Sequence, residues 1–138
     1  MKEARREAGR WILQAEDDLR FVQWVQREGV FFDKGCFLAQ QAGEKALKAC
    51  LYALGERRVI GHSLFEMTLR LAEREARFGS LVDEARRLDR YYITTRYPNG
   101  LPGGSPFQAY RSDDLESAAA DVTKIVAASL RFLGDLAE

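Results

Sequence analysis

The chain has 138 residues, of which 46% are hydrophobic and 30% are charged, and its 21 basic and 21 acidic side chains give a formal net charge of zero. This length is typical of one domain, so we expect a single domain over residues 1–138. The zero net charge excludes a general attraction to nucleic acid or anionic lipid, so any such binding requires a local cationic patch.

The first two predicted helices are amphipathic. Between Glu3 and about Arg27, apolar residues recur at every third or fourth position, which predicts a helix with one buried face. The second helix, from about Asp33 to Leu54, carries two apolar stripes that include small residues such as Gly43. Because small side chains let a neighbouring helix approach closely, we expect the second helix at the centre of a bundle.

Two more helices are predicted before residue 94. Ser63 followed by Glu66 matches a capping box, in which each side chain binds a free backbone amide of the first helical turn. The third helix is short and ends near Gly79. A fourth helix runs from about Ser80 to Ile93 and has a strongly charged outer face.

A proline- and glycine-rich segment separates the fourth helix from the last. All three prolines lie between Thr94 and Ser112, so no helix can continue there, and loops of this length tend to carry function or to be mobile. Asp113 with Glu116 forms a second capping-box pattern, and apolar residues at helical spacing extend a last helix almost to the end. The sequence therefore predicts an all-α, up-and-down bundle of about five helices with one long loop before the last helix.

The cysteine content and the hydropathy of the sequence indicate an intracellular protein with reduced thiols. Cys36 and Cys50 are the only cysteines, and no second pair completes a tetrahedral zinc site, so we interpret both as buried thiols in a reducing compartment. No run approaches the roughly 18 apolar residues that a membrane span needs, and the residues after Met1 do not resemble a signal sequence. We expect a cytoplasmic protein without a metal or cofactor.

The segment from residue 88 to residue 100 mixes cationic and aromatic side chains. Guanidinium groups match phosphate oxygens with paired donors, and tyrosine rings stack on bases. The segment therefore predicts binding of a nucleotide or single-stranded RNA by Arg90, Tyr92, Arg96 and Tyr97. The alternative is structural, with the tyrosines partly buried and Arg90 paired with an acidic neighbour.

Three other polar residues are candidates. His62 is the only histidine and directly precedes the third helix, whose dipole favours the neutral imidazole that a general base requires, so His62 is the candidate catalytic residue. The alternative for His62 is a structural role. Lys45 and Lys48 are further candidates for ligand binding, and the alternative for them is a solvated helix face on which Glu44 supports Lys48.

Three blocks of the sequence resemble, in the same order, blocks of the HEPN family. They are Gln41-Ala42-Gly43-Glu44-Lys45-Ala46-Leu47-Lys48-Ala49, then His62-Ser63-Leu64, then Leu88 through Tyr97-Pro98. Together with the first and last helices, the three blocks cover nearly the whole chain. The resemblance implies a helical bundle that is commonly a homodimer, is often encoded beside a minimal nucleotidyltransferase in toxin–antitoxin-like systems, and has nucleotide or RNA as its ligand.

Many HEPN proteins are metal-independent endoribonucleases that use an arginine, four to six intervening residues and a histidine near the start of the last helix. No histidine follows Arg90 or Arg96 in this chain, and the similarly spaced Arg57 and His62 precede the third helix. We therefore expect a homodimeric binding protein with a nucleotidyltransferase partner. The alternatives are an endoribonuclease with His62 as general base, and a structural dimerisation module without a ligand.

Overall fold

The computed structural model describes residues 2–137, and over this range it contains seven α-helices and no strand. The helices are α1 (Lys2–Glu28), α2 (Phe32–Ala53), α3 (Leu64–Arg74), α4 (Val82–Asp89), α5 (Tyr91–Thr94), α6 (Pro106–Ala109) and α7 (Ser112–Ala137). Two 3-10 helices occupy Ala76–Leu81 and Pro98–Gly100. The predicted all-α bundle is confirmed. No helix within residues 2–137 is long and apolar enough to cross a membrane.

The second helix, α2, lies at the centre of the bundle, as its two apolar stripes predict. It packs along α1 and also contacts α3, α4, α5, α6 and α7. A Cβ atom added at Gly43 would lie 2.5 Å from Cδ2 of Leu64, so α3 packs directly against the backbone of α2. The absence of a side chain at Gly43 therefore sets the distance between these two helices.

A carboxylate from α4 caps the start of α3. Asp89 accepts hydrogen bonds from the backbone amides of Leu64 at 2.7 Å and Phe65 at 3.1 Å, and from the Ser63 hydroxyl at 2.8 Å. The Ser63 hydroxyl in turn accepts from the amide of Glu66 at 3.1 Å, which is one half of the predicted capping box. These bonds fix the segment before α3 against the end of α4.

Two boundaries differ from the prediction. The helix predicted from Ser80 to Ile93 is divided, because α4 ends at Asp89 and a turn at Arg90 precedes the single turn of α5. The predicted capping box at the start of the last helix is wrong. There, Asp114 reaches back and accepts from the amide of Arg111 at 2.8 Å, so α7 begins at residue 112.

Candidate functional site

A buried carboxylate holds the histidine. Glu44 on α2 is only 5% exposed, and each of its carboxylate oxygens lies 3.2 Å from Nδ1 of His62. Since a carboxylate only accepts, this contact places a proton on Nδ1. The His62 side chain is 54% exposed, and within residues 2–137 its Nε2 has no hydrogen-bond partner, so Nε2 is the nitrogen available to a ligand.

Glu44 has two further partners inside the protein. The ammonium of Lys48 lies 3.1 Å from its Oε2, and Gln40 donates to its Oε1 at 3.2 Å. Gln40 also donates to the backbone carbonyl of His62 at 3.1 Å, and the Lys48 ammonium lies 5.4 Å from the ring centroid of Trp11. We refer to Gln40, Glu44, Lys48 and His62 as the buried polar network.

The alternative of a solvated face on α2 is wrong for Glu44 and Lys48, which are 5% and 6% exposed. Trp11 of α1 and the segment before α3 cover this side of the helix. Lys45 is also paired, since its ammonium lies 2.5 Å from Oδ2 of the buried Asp18. Each of the two lysines therefore neutralises a buried carboxylate.

Three side chains stack beside this network at the surface. The imidazole of His62 and the ring of Tyr92 have centroids 4.6 Å apart and planes inclined by 20°. The guanidinium carbon of Arg96 also lies 4.6 Å from the Tyr92 centroid. We refer to His62, Tyr92 and Arg96 as the stacked cluster, in which Tyr92 connects the imidazole to the cation.

Aromatic rings surround the guanidinium of Arg96. Its carbon lies 4.6 Å from the centroid of Phe37 and 5.2 Å from that of Tyr97, in addition to Tyr92. Its Nε donates to the backbone carbonyl of Tyr92 at 2.8 Å, which fixes the orientation of the group. Arg96 is exposed and its Nε is the only guanidinium nitrogen with a hydrogen bond within residues 2–137, so its NH2 groups are the donors left for a ligand, and phosphate oxygens match such donors.

The structure brings four of the sequence-predicted residues together, namely His62, Tyr92, Arg96 and Tyr97. Arg90 lies at the turn before α5 and is exposed, and its side chain has no carboxylate partner within residues 2–137. Its neighbour Asp89 instead caps α3.

Sequence reasoning missed three residues of the site, which are Phe37, Gln40 and Glu44. A signal was present, because positions 37, 40, 44 and 48 follow one another at three- and four-residue spacing and so share one face of α2. The spacing alone does not show that the segment before α3, which carries His62, covers that face of α2.

Comparisons with known proteins agree on one family. The model of the HEPN domain matches residues 8–132 of this chain. The crystal structure of TT1696 from Thermus thermophilus is 35% identical, with a TM-score of 0.80 over 94% of this chain and 98% of that chain. ST0689, an archaeal HEPN homologue, is 30% identical, with a TM-score of 0.75, and the match covers 92% of this chain and 98% of that chain. The HEPN domain protein tm0613 from Thermotoga maritima is 31% identical, with a TM-score of 0.67, and the match covers 92% of this chain and 96% of that chain. Among curated proteins no significant match is found.

Proposed function

Since this chain belongs to the HEPN domain family, we propose that it binds a nucleotide or single-stranded RNA at the stacked cluster. The observation that carries the proposal is the contact of the exposed Arg96 with three aromatic rings, one of which, Tyr92, also stacks on the exposed imidazole of His62. A guanidinium edge held in one orientation suits a phosphate, and the exposed His62 ring suits stacking on a base. Together these groups supply the two contacts that a nucleotide offers.

The distribution of paired and unpaired cationic side chains also supports phosphate binding near the stacked cluster. Lys45 and Lys48 are committed to buried carboxylates, whereas Arg90 and the edge of Arg96 have no carboxylate partner within residues 2–137. The chain as a whole is neutral, and these two unpaired arginines flank α5, one directly before it and one two residues after it. Phosphate binding needs such local cations when the net charge is zero.

Calorimetric titration with AMP and with a short single-stranded RNA tests the proposal. We expect saturable binding that Arg96→Ala weakens by about 10-fold to 100-fold, because a hydrogen bond to a charged group contributes about 1.5–3 kcal/mol. The matched control is Arg20→Ala, an arginine on α1 whose side chain is 82% exposed, and it leaves the affinity unchanged. Absence of binding, or equal affinities for both variants, contradicts the proposal.

A second function, metal-independent RNA cleavage, is favoured by the orientation of His62. Glu44 holds Nδ1, so Nε2 is presented as a general base, and Arg96 stabilises the charge that develops on the phosphate. Labelled RNA incubated with the protein and a chelator tests this function. Cleavage that persists with chelator and disappears in His62→Ala supports it, whereas binding without cleavage leaves only the first function.

We further propose that the chain is a cytoplasmic homodimer with a minimal nucleotidyltransferase as its partner, as the family resemblance implies. Phe21 and Trp24 support an interface, because they are 40% and 46% exposed on the outer face of α1. Light scattering after gel filtration measures the dimer, and co-purification with a nucleotidyltransferase encoded beside the gene tests the partner. A dimer that binds no nucleotide identifies a structural dimerisation module instead.

A further inference from the structure

A groove adjoins the Arg96 side of the stacked cluster. It has a volume of about 360 Å³ and is lined by Asp33, Lys34, Thr95, Arg96, Pro98, Pro106 and Phe107. This volume lies within the range of about 300–1,000 Å³ that is usual for ligand sites. His62 and Tyr92 do not line the groove, so Arg96 is the residue that the groove and the cluster share.

An exposed ring forms one wall of the groove. Phe107 is 68% exposed, although it lies on α6, a turn that is well fixed. Pro106, which begins this turn, is buried, and the side-chain carbonyl of Gln108 accepts from the backbone amide of Ser105 at 3.0 Å. An aromatic ring presented to solvent from a fixed turn can stack on a base with little loss of conformational freedom.

The charges in the groove suit a phosphate near Arg96. Lys34 adds a second cation with a side chain that is 57% exposed, and its ammonium lies 3.1 Å from Asp33. The lining residues therefore carry two positive charges and one negative charge, which leaves one positive charge in excess. Arg96 belongs both to the stacked cluster, through its contact with Tyr92, and to the lining of the groove, which it shares with Phe107.

We infer that the ligand is a stretch of single-stranded RNA of at least two nucleotides. One base stacks on His62, the phosphate that follows binds the edge of Arg96, and the next base stacks against Phe107 in the groove. The inference rests on the proposed binding of nucleotides at the stacked cluster and narrows it, because a mononucleotide can occupy only one of the two stacking positions.

Titration with AMP and with the dinucleotide pApA tests the inference. We expect pApA to bind between about 5-fold and 150-fold more tightly than AMP, which is the contribution of stacking one additional base. Phe107→Ala is expected to remove this gain while the affinity for AMP stays unchanged, and Phe107→Tyr is expected to keep it. The matched control is Leu13→Ala on α1, since Leu13 is also 68% exposed and does not line the groove.

The possible outcomes separate the inference from the proposed function. Equal affinities for AMP and pApA, or a gain that persists in Phe107→Ala, overturn the inference and leave nucleotide binding at the cluster standing. Failure of both compounds to bind overturns the inference together with the proposed function. A gain that is lost in Phe107→Ala and kept in Phe107→Tyr and Leu13→Ala supports the two-nucleotide site.

Discussion

Glu44 supports His62 from inside the protein, with both carboxylate oxygens 3.2 Å from Nδ1 of the imidazole. The same carboxylate accepts from Lys48, whose side chain is only 7% exposed. The orientation of a surface histidine thus depends on an ion pair that is withdrawn from water. Removing either member leaves a buried charge without its partner.

We expect Glu44→Ala to lower the free energy of unfolding by about 3–5 kcal/mol, because the Lys48 ammonium then stays buried and unpaired. The double variant Glu44→Leu with Lys48→Met is expected to cost less than Glu44→Ala alone, since it removes both charges and keeps the volume. Urea denaturation measures both. Glu3→Ala is the control, because the Glu3 side chain is 89% exposed and forms only a surface ion pair with Arg6. If Glu3→Ala lowers the free energy of unfolding as much as Glu44→Ala does, burial of the ion pair is not the cause.

The close approach of α2 and α3 gives a second prediction. Gly43→Ala is expected to destabilise the protein by about 1–3 kcal/mol, because the new Cβ would lie 2.5 Å from Cδ2 of Leu64. Gly9→Ala on α1 is the matched control, since a Cβ there has no neighbour within 4 Å. Alanine stabilises a helix by about 0.5–1 kcal/mol relative to glycine, so the two substitutions are expected to shift the denaturation midpoint in opposite directions.

The carboxylate cap of α3 gives a third prediction. Asp89→Ala is expected to lower stability by about 1–3 kcal/mol, because two backbone amides and the Ser63 hydroxyl lose a charged acceptor. Asp89→Asn keeps one acceptor oxygen and is expected to cost less. Thermal denaturation of the three proteins ranks them. Equal losses for both variants contradict the expected contribution of the single acceptor oxygen that asparagine keeps, and no loss in Asp89→Ala contradicts the cap itself.

The buried thiols give a prediction about pH. Burial raises the pKa of Cys36 and of Cys50 from 9.0 to about 12. Unfolded thiols lose their protons near the lower value, so the folded state holds more protons between these two pH values. The contribution of the two thiols to stability is therefore fully present below pH 9.0 and is lost as the pH rises towards about 12.

Urea denaturation at several pH values from about 8 to about 11 measures how the free energy of unfolding falls with rising pH. The double variant Cys36→Ala with Cys50→Ala is expected to show a shallower fall over the same interval, and an unchanged slope contradicts the assignment to the thiols. Tyr91 contributes to the slope that remains, because burial raises its pKa from 10.0 to about 12.

The stacked cluster gives a prediction about the role of Tyr92. Its hydroxyl has no hydrogen-bond partner within residues 2–137, while its ring contacts both His62 and Arg96. Tyr92→Phe is therefore expected to keep the affinity for AMP, and Tyr92→Leu is expected to lower it by about 5-fold, since the ring that positions His62 and Arg96 is lost. An equal loss in both variants indicates that the hydroxyl itself contacts the ligand.

Helical periodicity was sufficient to predict the main helices and the central place of α2. Apolar spacing encodes which face of a long helix is buried, and two stripes on one helix require neighbours on two sides. The break at Arg90 and the single turn of α6 were not predicted, because an element of four residues has no period to detect. Short capping contacts decide such boundaries, and Asp89 caps a helix 25 residues earlier in the chain.

The candidate site was predicted in part. The arginines and tyrosines around α5 could be identified from the sequence because their side chains suit phosphate groups and bases. The stack of His62 on Tyr92 could not, because these two residues are 30 positions apart in the chain. The burial of Lys48 could not be predicted from its own helix, where polar neighbours suggest solvent. Which segment covers a polar face is a property of tertiary packing, and a single sequence does not state it.

The position of Trp11 gives the protein its own optical reporter. The indole lies 5.4 Å from the ammonium of Lys48, next to the buried polar network, whereas Trp24 is 46% exposed on α1. A charge so close to an indole shifts its emission spectrum, so a ligand whose binding moves the Lys48 ammonium is expected to alter the fluorescence of Trp11 and to leave Trp24 as an internal reference. Ligand screening therefore needs no attached dye, and a Trp24→Phe variant isolates the responsive signal.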